Sequence, residues 1–139
     1  IGLAQLERAE ELRKAREKCC RYYHEHLAGI DCLELPEIQC FWEDHACHLY
    51  PVIVKKNAPV YRNEFIEAMG DKGVGTSVHY KPLHRMSYYR DLYELNPHDF
   101  PNTEYIWKGT VSLPVYPGLS EDDLGYICTA IKGILHKKM

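Results

Sequence analysis

The sequence predicts an α+β domain, in which a small, mainly antiparallel sheet packs against a long N-terminal helix and further helices. Amphipathic stripes with helical spacing predict helices over residues 2–28, 59–69 and 121–136. Short β-branched segments between these stripes predict strands. The order of helices and strands lacks the regular alternation of a doubly wound parallel sheet, which favours helices packed largely on one face of the sheet.

Local signals set the expected ends of the three helices. The apolar stripe of the first helix starts at Leu3 and Leu6, and its opposite face is dense in charge, which is typical of a solvated helix face. Gly29 is expected to end this helix. The second helix is expected to start at Asn57, a capping residue with proline two positions later. Ser120 is expected to cap the third helix.

Four segments are predicted to be strands, at residues 30–35, 46–54, 74–80 and 110–116. The β-branched end of the second segment is typical of a strand that is buried on both faces. Pro51 cannot donate to a ladder, so we expect it near a sheet edge or a bulge. The connection after the third strand is rich in Tyr, Pro and His, and two short helices are expected in it, around 86–94 and 102–108.

The bulk properties indicate one domain over residues 1–139 and exclude several classes of partner. The net charge is −3, and basic residues are diluted by acidic ones almost everywhere, which argues against binding to nucleic acid. A run of about 18 apolar residues, as a membrane-spanning helix needs, is absent from the sequence. No secretory leader is evident in the charged first 28 residues. We therefore expect a cytoplasmic protein that does not bind membranes.

Six cysteines are interpreted as reduced and mostly buried thiols, because none of their spacings is C-x-x-C and the chain is not a short disulfide scaffold: Cys19, Cys20, Cys32, Cys40, Cys47 and Cys128. His45, Cys47 and His48 lie close together in sequence, with Cys40 nearby, and raise a zinc hypothesis. Zinc requires three or four converging ligands. Adjacent residues on a strand point to opposite faces, so we expect no metal here and a locally hydrogen-bonded His48.

The segment from residue 74 to 84 is the most informative for function. A predicted strand ends at His79-Tyr80, and Pro82 and a second histidine, His84, follow. Strand ends and the loops after them are common positions for binding groups. The residues alone leave two interpretations of His79 and His84 open, as functional groups or as satisfied structural histidines.

Several segments, in order along the whole chain, resemble the DegT/DnrJ/StrS family of nucleotide-sugar aminotransferases. They are Ile1–Leu6, His48–Val52, Gly73–His84, Tyr88-Tyr89, Phe100-Pro101, Val111–Pro117 and Leu119–Asp123. The resemblance implies the small C-terminal domain of a fold-type I enzyme, with residues 1–28 as the interdomain helix and residues 29–139 as the sheet and its helices.

The resemblance also implies an activity that this chain cannot perform alone. Such enzymes transfer an amino group, typically from glutamate, to a nucleotide-linked keto-sugar for polysaccharide or natural-product biosynthesis. Their pyridoxal phosphate is held on a lysine of a large domain, which also carries the acidic partner of the cofactor ring. Both residues would precede Ile1, so we expect no catalytic residue and no bound cofactor in this chain. Homodimers with active sites at the subunit interface are also implied.

If the resemblance holds, His79, Tyr80 and His84 are expected to line the surface that closes over the active site of the intact enzyme. Lys81 is expected to add a charge there. Imidazole and phenol groups can hydrogen-bond sugar hydroxyls, and cations suit a diphosphate. Two other interpretations stay open, a stand-alone small-molecule-binding or regulatory α+β domain and a metal-binding interaction module. If a large domain covers the first helix, Ile1, Leu3 and Leu6 are expected to be partly exposed in this chain or covered by a neighbouring molecule.

Overall fold

The computed structural model describes residues 2–37 and 42–136. Its helices and strands, in order, are α1 Gly2–Glu7, α2 Ala9–Leu27, β1 Leu33–Glu34, β2 Tyr50–Val54, α3 Arg62–Asp71, α4 Ser87–Leu92, α5 Pro101–Gly109, β3 Thr110–Leu113 and α6 Glu121–Leu135. Short 3₁₀ helices occupy Trp42–Asp44, Leu83–Arg85 and Pro97–Asp99. The predicted α+β class with a small antiparallel sheet is confirmed. The two short helices expected in the long connection are present as α4 and α5.

The sheet has the order β1-β2-β3, and both pairings are antiparallel. Pro51, which is expected near a sheet edge or a bulge, is not on an edge strand, because β2 is the central strand, but it does lie near an edge of the β1–β2 ladder. Its missing N–H is tolerated because β1 pairs only with Ile53 and Val54, so Pro51 lies beyond the end of that ladder. The expectation of burial on both faces is wrong. Tyr50, Val52 and Val54 are buried, whereas Pro51 is exposed and Ile53 half-buried.

The predicted strand at 74–80 is wrong in its extent. Only one bridge forms, between Ser77 and Ser112, with N–H···O distances of 3.3 and 2.8 Å. The chain then enters the 3₁₀ helix after Pro82, and the ladder is not continued. The single bridge nevertheless places His79 beside β3. The other predicted strands are shorter in the structure, and Pro114 follows the last residue of β3.

The predicted helix over 2–28 is divided in two at Arg8, which lies between α1 and α2. No residue of α1 is buried, and Leu3 and Leu6 are 74% and 72% exposed, so packing within this chain does not hold α1 in line with α2. The exposure expected for Leu3 and Leu6 is confirmed, and Ile1 lies outside the described residues. Gly29 has a φ of +81°, the left-handed conformation that suits glycine after a helix end.

The helix predicted over residues 59–69 is α3, and it begins at Arg62 rather than at residue 59. Asn57 lies instead in a turn, in which the Ala58 N–H donates to the Lys55 carbonyl. At the true start, the N–H of Tyr61 donates to the carboxylate of Glu64 at 2.7 Å. The helix predicted over residues 121–136 is α6, and it begins as predicted. There the Asp123 N–H donates to Ser120 Oγ at 3.1 Å, and the Ser120 N–H donates back to the Asp123 carboxylate at 3.0 Å.

One hydrophobic cluster joins α2, α3 and α6 to the buried face of the sheet. Its fully buried side chains include Tyr23, Leu27, Phe65, Met69 and Ile131, each 0% exposed. The hydroxyl of Tyr23 still donates to the Pro114 carbonyl at 2.9 Å, so the only polar atom of its side chain is satisfied. Within residues 2–37 and 42–136, none of the helices is long and apolar enough to cross a lipid bilayer.

Candidate functional site

His79 is held against the sheet by a side-chain hydrogen bond to β3. Its Nδ1 lies 2.9 Å from Oγ of Ser112, a residue that is 3% exposed and that also forms the bridge to Ser77. Backbone and side chain of the same serine therefore fix this strand-like segment. The other side of the half-buried imidazole packs edge-to-face against Tyr80, with ring centroids 4.8 Å apart.

Tyr80 and Lys81 are the predicted site residues that reach solvent. Tyr80 is 77% exposed, and Lys81 is also exposed. The Tyr80 ring makes an edge-to-face contact with His79. Tyr80 and Lys81 supply a phenol hydroxyl and an ammonium group, which can hydrogen-bond hydroxyl and phosphate oxygens of a ligand.

His84 is placed differently, in the interior beneath α5. It is 4% exposed, its ring stacks on Phe100 with centroids 4.6 Å apart, and its Nε2 lies 2.7 Å from Oε1 of Glu104. The structure therefore brings together His79, Tyr80 and Lys81 but keeps His84 on a buried carboxylate. The His84 ring is therefore enclosed by Glu104 and Phe100 and is not open to solvent.

Glu104 is the center of this buried network. The guanidinium of Arg85 forms two hydrogen bonds to it, from Nε and Nη2, both at 2.6 Å, and Lys108 lies 3.7 Å away. The two bonds from Arg85, followed by the bond from His84, lower the pKa of Glu104 to about 2. A bidentate pair of this kind fixes orientation as well as charge. It anchors the 3₁₀ turn at Leu83–Arg85 to α5.

Sequence reasoning did not identify Glu104 or Arg85. The available signal was an acidic residue in the short apolar helix that follows Phe100, four positions before Lys108. That spacing equally describes an ordinary surface pair, so only the tertiary position of Glu104 distinguishes it.

The lysines that the structure describes do not fit the role of a cofactor-binding residue. A lysine that forms a Schiff base is activated by desolvation or by a neighbouring cation. Of the lysines in the described ranges, Lys55 is half-buried and all the others are exposed. None of the lysines in the described ranges therefore has the buried setting that a Schiff-base residue for pyridoxal phosphate needs.

The cysteine and histidine cluster gives no metal centre among the residues that the structure describes, because no group of three or more His, Cys, Asp or Glu side chains converges there. His45 Nδ1 accepts from the Cys47 N–H at 3.1 Å and lies 3.3 Å from its Sγ. His48 is exposed and outside any strand, which corrects the expectation of a packed strand position.

The thiols in the described ranges are free, and all are buried except the half-buried Cys32. Cys40 lies outside the described residues. Burial raises the pKa of the Cys128 thiol to about 11, and burial likewise raises the pKa of Cys19, Cys20 and Cys47. These cysteines thus behave as small core side chains rather than as nucleophiles.

Comparison with known proteins matches nearly the whole chain to part of larger proteins. The chain is 37% identical over 136 residues to the uncharacterized protein MJ1066 of Methanocaldococcus jannaschii. It is also 37% identical over 139 residues to SpsC of Bacillus subtilis, a spore coat polysaccharide biosynthesis protein. Each match covers 97% of this chain and 35% of the relative, so the chain spans about a third of their length.

The fold matches a solved structure over a similar span. The PLP-form of Spr1654 from Streptococcus pneumoniae, provisionally described as a sugar aminotransferase, superimposes with a TM-score of 0.86 at 26% identity. The match covers 96% of this chain and 33% of that one. A family model described as the DegT/DnrJ/EryC1/StrS aminotransferase family matches residues 1–132. Because that match includes nearly every residue, this chain belongs to the DegT/DnrJ/EryC1/StrS aminotransferase family.

Proposed function

We propose that this chain is the C-terminal small domain of a pyridoxal-phosphate-dependent aminotransferase that acts on a nucleotide-linked keto-sugar. The observation that carries the proposal is the match of almost the whole chain, but only a third of Spr1654, to a structure solved with the cofactor. The polysaccharide-biosynthesis role printed for SpsC supports a sugar as the acceptor. Residues 1–28 would form the interdomain helix, and the exposed Leu3 and Leu6 would be covered by the large domain.

The cofactor lysine and its acidic partner would lie in the large domain, outside this chain. The exposed or half-buried lysines described here support that assignment. We therefore expect the 139-residue chain alone to bind no pyridoxal phosphate and to transfer no amino group. An absorbance band of protein-bound cofactor that survives dialysis of the isolated chain would contradict this expectation.

In the intact enzyme, the segment from His79 to Lys81 would face the substrate. Tyr80 would donate a hydrogen bond to a sugar hydroxyl, and Lys81 would contact the diphosphate. His79 would hold Tyr80 in place through its ring contact and its bond to Ser112. His84, buried on Glu104, would contribute by positioning the turn from which the segment departs.

The test is steady-state transamination by the intact enzyme, with glutamate as donor and a nucleotide-linked keto-sugar as acceptor. Lys81→Gln removes the charge that would contact the diphosphate, and Tyr80→Phe removes the hydroxyl that would contact the sugar. For each variant, we expect kcat/KM for the sugar to fall by about tenfold or more. Cofactor binding should be unchanged. The matched control is Lys72→Gln, an exposed lysine that follows α3. If both variants keep the wild-type kcat/KM, these residues do not contact the substrate.

The intact enzyme is further proposed to be a cytoplasmic homodimer. Free and mostly buried thiols suit a reducing compartment. Exposed aromatic side chains on α4 and directly after it, Tyr88 at 70% and Tyr93 at 63% exposure, would be covered on assembly. Light scattering coupled to gel filtration of the intact enzyme should give twice the subunit mass, and a monomer at assay concentration would contradict the proposal.

A further inference from the structure

A groove lies where the end of β2 meets the end of α5 and the start of α3. Its volume is about 470 Å³. Four cationic residues, Lys55, Lys56, Arg62 and Lys108, and two tyrosines line its walls. Ile53, Val54 and Gly109 form its floor. The groove therefore combines an apolar floor with a strongly basic rim.

The charge of this groove is opposite to that of the whole chain. No carboxylate is among its lining residues, although the chain carries a net charge of −3. In the described residues, Lys108 Nζ lies 3.7 Å from the carboxylate of Glu104. That carboxylate is already bound by Arg85 at 2.6 Å. The described ion pairs include none for Lys55, Lys56 or Arg62. Positive charge is thus concentrated here, with partial compensation from Glu104 beside Lys108 and from Glu34, which accepts from the Tyr105 hydroxyl at 2.6 Å.

Arg62 supplies a second and independent observation. Its Nε is buried and has no hydrogen-bond partner in the described structure. The guanidinium lies over the ring of Trp107, with its Cζ 4.9 Å from the ring centroid. Burial lowers the pKa of Arg62 from its ordinary value, because desolvation disfavours its charge. Arg62 also lines the groove, so its positive charge can act on an anionic oxygen bound there.

Gly109 makes the groove possible by allowing a close approach of α5 to β2. A Cβ at this position would lie 2.5 Å from Cγ2 of Ile53 and 2.6 Å from the carbonyl oxygen of Val54. Only glycine permits this contact, and Lys108 precedes it directly. The last turn of α5 is therefore held where its lysine faces the same space as Lys56 and Arg62.

We propose that this groove binds the phosphate group of an anionic ligand, of the phosphomonoester or diphosphate class. Four positive charges favour a ligand with more negative charge than a single carboxylate carries. A guanidinium together with lysines also suits the oxygens of a phosphate group. Tyr61 and Tyr105, which are 76% and 42% exposed, provide ring surfaces beside the anion site for an attached group. The proposal uses none of residues 79–84 and does not depend on the transaminase activity.

The test is calorimetric titration of the full 139-residue chain with pyrophosphate and, separately, with uridine diphosphate. We expect saturable binding at one site, weakened by added salt. Arg62→Gln and Lys56→Gln should each raise the dissociation constant of pyrophosphate by about tenfold. Lys132→Gln, an exposed lysine of α6, is the control and should bind as wild type does.

Lys56 is exposed, so its variant is expected to remain folded even if Arg62→Gln unfolds. Tighter binding of uridine diphosphate than of pyrophosphate supports a nucleotide as the ligand, and equal affinities support a free phosphate or pyrophosphate. The proposal is overturned if neither compound binds to the wild-type chain, or if Lys56→Gln and Lys132→Gln have the same affinity as wild type.

Discussion

Replacing Gly109 by alanine is expected to destabilise the domain, although alanine is the better helix former. The added methyl would lie 2.5 Å from Cγ2 of Ile53 and 2.6 Å from the Val54 carbonyl oxygen. The side chain can move, but the oxygen belongs to the central strand, which pairs with β1 and β3 on either side. Overpacking of this kind costs about 1–3 kcal/mol. For a domain of this size, that corresponds to a fall in Tm of roughly 3–12 °C.

Urea denaturation followed by circular dichroism measures the effect, and Gly133→Ala is the matched control. Gly133 lies within α6, and a Cβ there would have no atom within 4 Å. The control should therefore raise the free energy of unfolding by about 0.5–1 kcal/mol through helix propensity. The two substitutions are chemically identical and should shift stability in opposite directions. Equal shifts would refute the argument that backbone contact at Gly109 determines the cost.

Two further predictions concern a helix cap and a buried carboxylate. Ser120→Ala removes the hydroxyl that accepts from the Asp123 N–H and should lower the free energy of unfolding by about 1 kcal/mol, measured by urea denaturation. The pKa of Glu104 is about 2 in the folded chain against an ordinary value of 4.5, so its contribution to stability is present above pH 4.5 and is lost as the pH falls toward 2. When Tm is measured from about pH 6 to pH 2, it should therefore fall less steeply in Glu104→Gln than in wild type. Parallel curves would contradict a contribution of Glu104 ionisation to stability.

The fold class was predictable because helical periodicity and capping residues act locally. The stripe and the Ser120 cap of α6 are encoded within a few residues of each other, and the structure reproduces both. The predicted strand at 74–80 failed for the opposite reason. Whether a β-branched segment forms a ladder depends on the length of the partner strand, and β3 offers Ser77 a single bridge. The division of the first helix at Arg8 likewise reflects the absence of packing beneath α1, which the sequence pattern does not reveal.

The candidate site was predictable only in part, for a similar physical reason. Position after a strand-like segment predicted solvent-facing groups there, and the structure exposes Tyr80 and Lys81 while His79 is half-buried. The same pattern could not distinguish an exposed histidine from one buried on a carboxylate twenty residues away. Burial of His84 depends on Glu104, whose helix reaches it through a long connection. Long-range ion pairs have no local signature, so this network was not predictable from spacing.

The exposed segment at Tyr80 and Lys81 is connected to the buried network around Glu104. Tyr80 and Lys81 lie between two anchors, the Ser112 bond of His79 on one side and the Glu104 bonds of His84 and Arg85 on the other. An exposed tyrosine has many orientations, and restricting its backbone at both ends lowers the entropy lost when a ligand binds. The anchors connect to β3 and to α5, which are joined directly at Gly109-Thr110. The orientation of the segment is therefore fixed to the sheet itself, although the segment contributes only one bridge to that sheet.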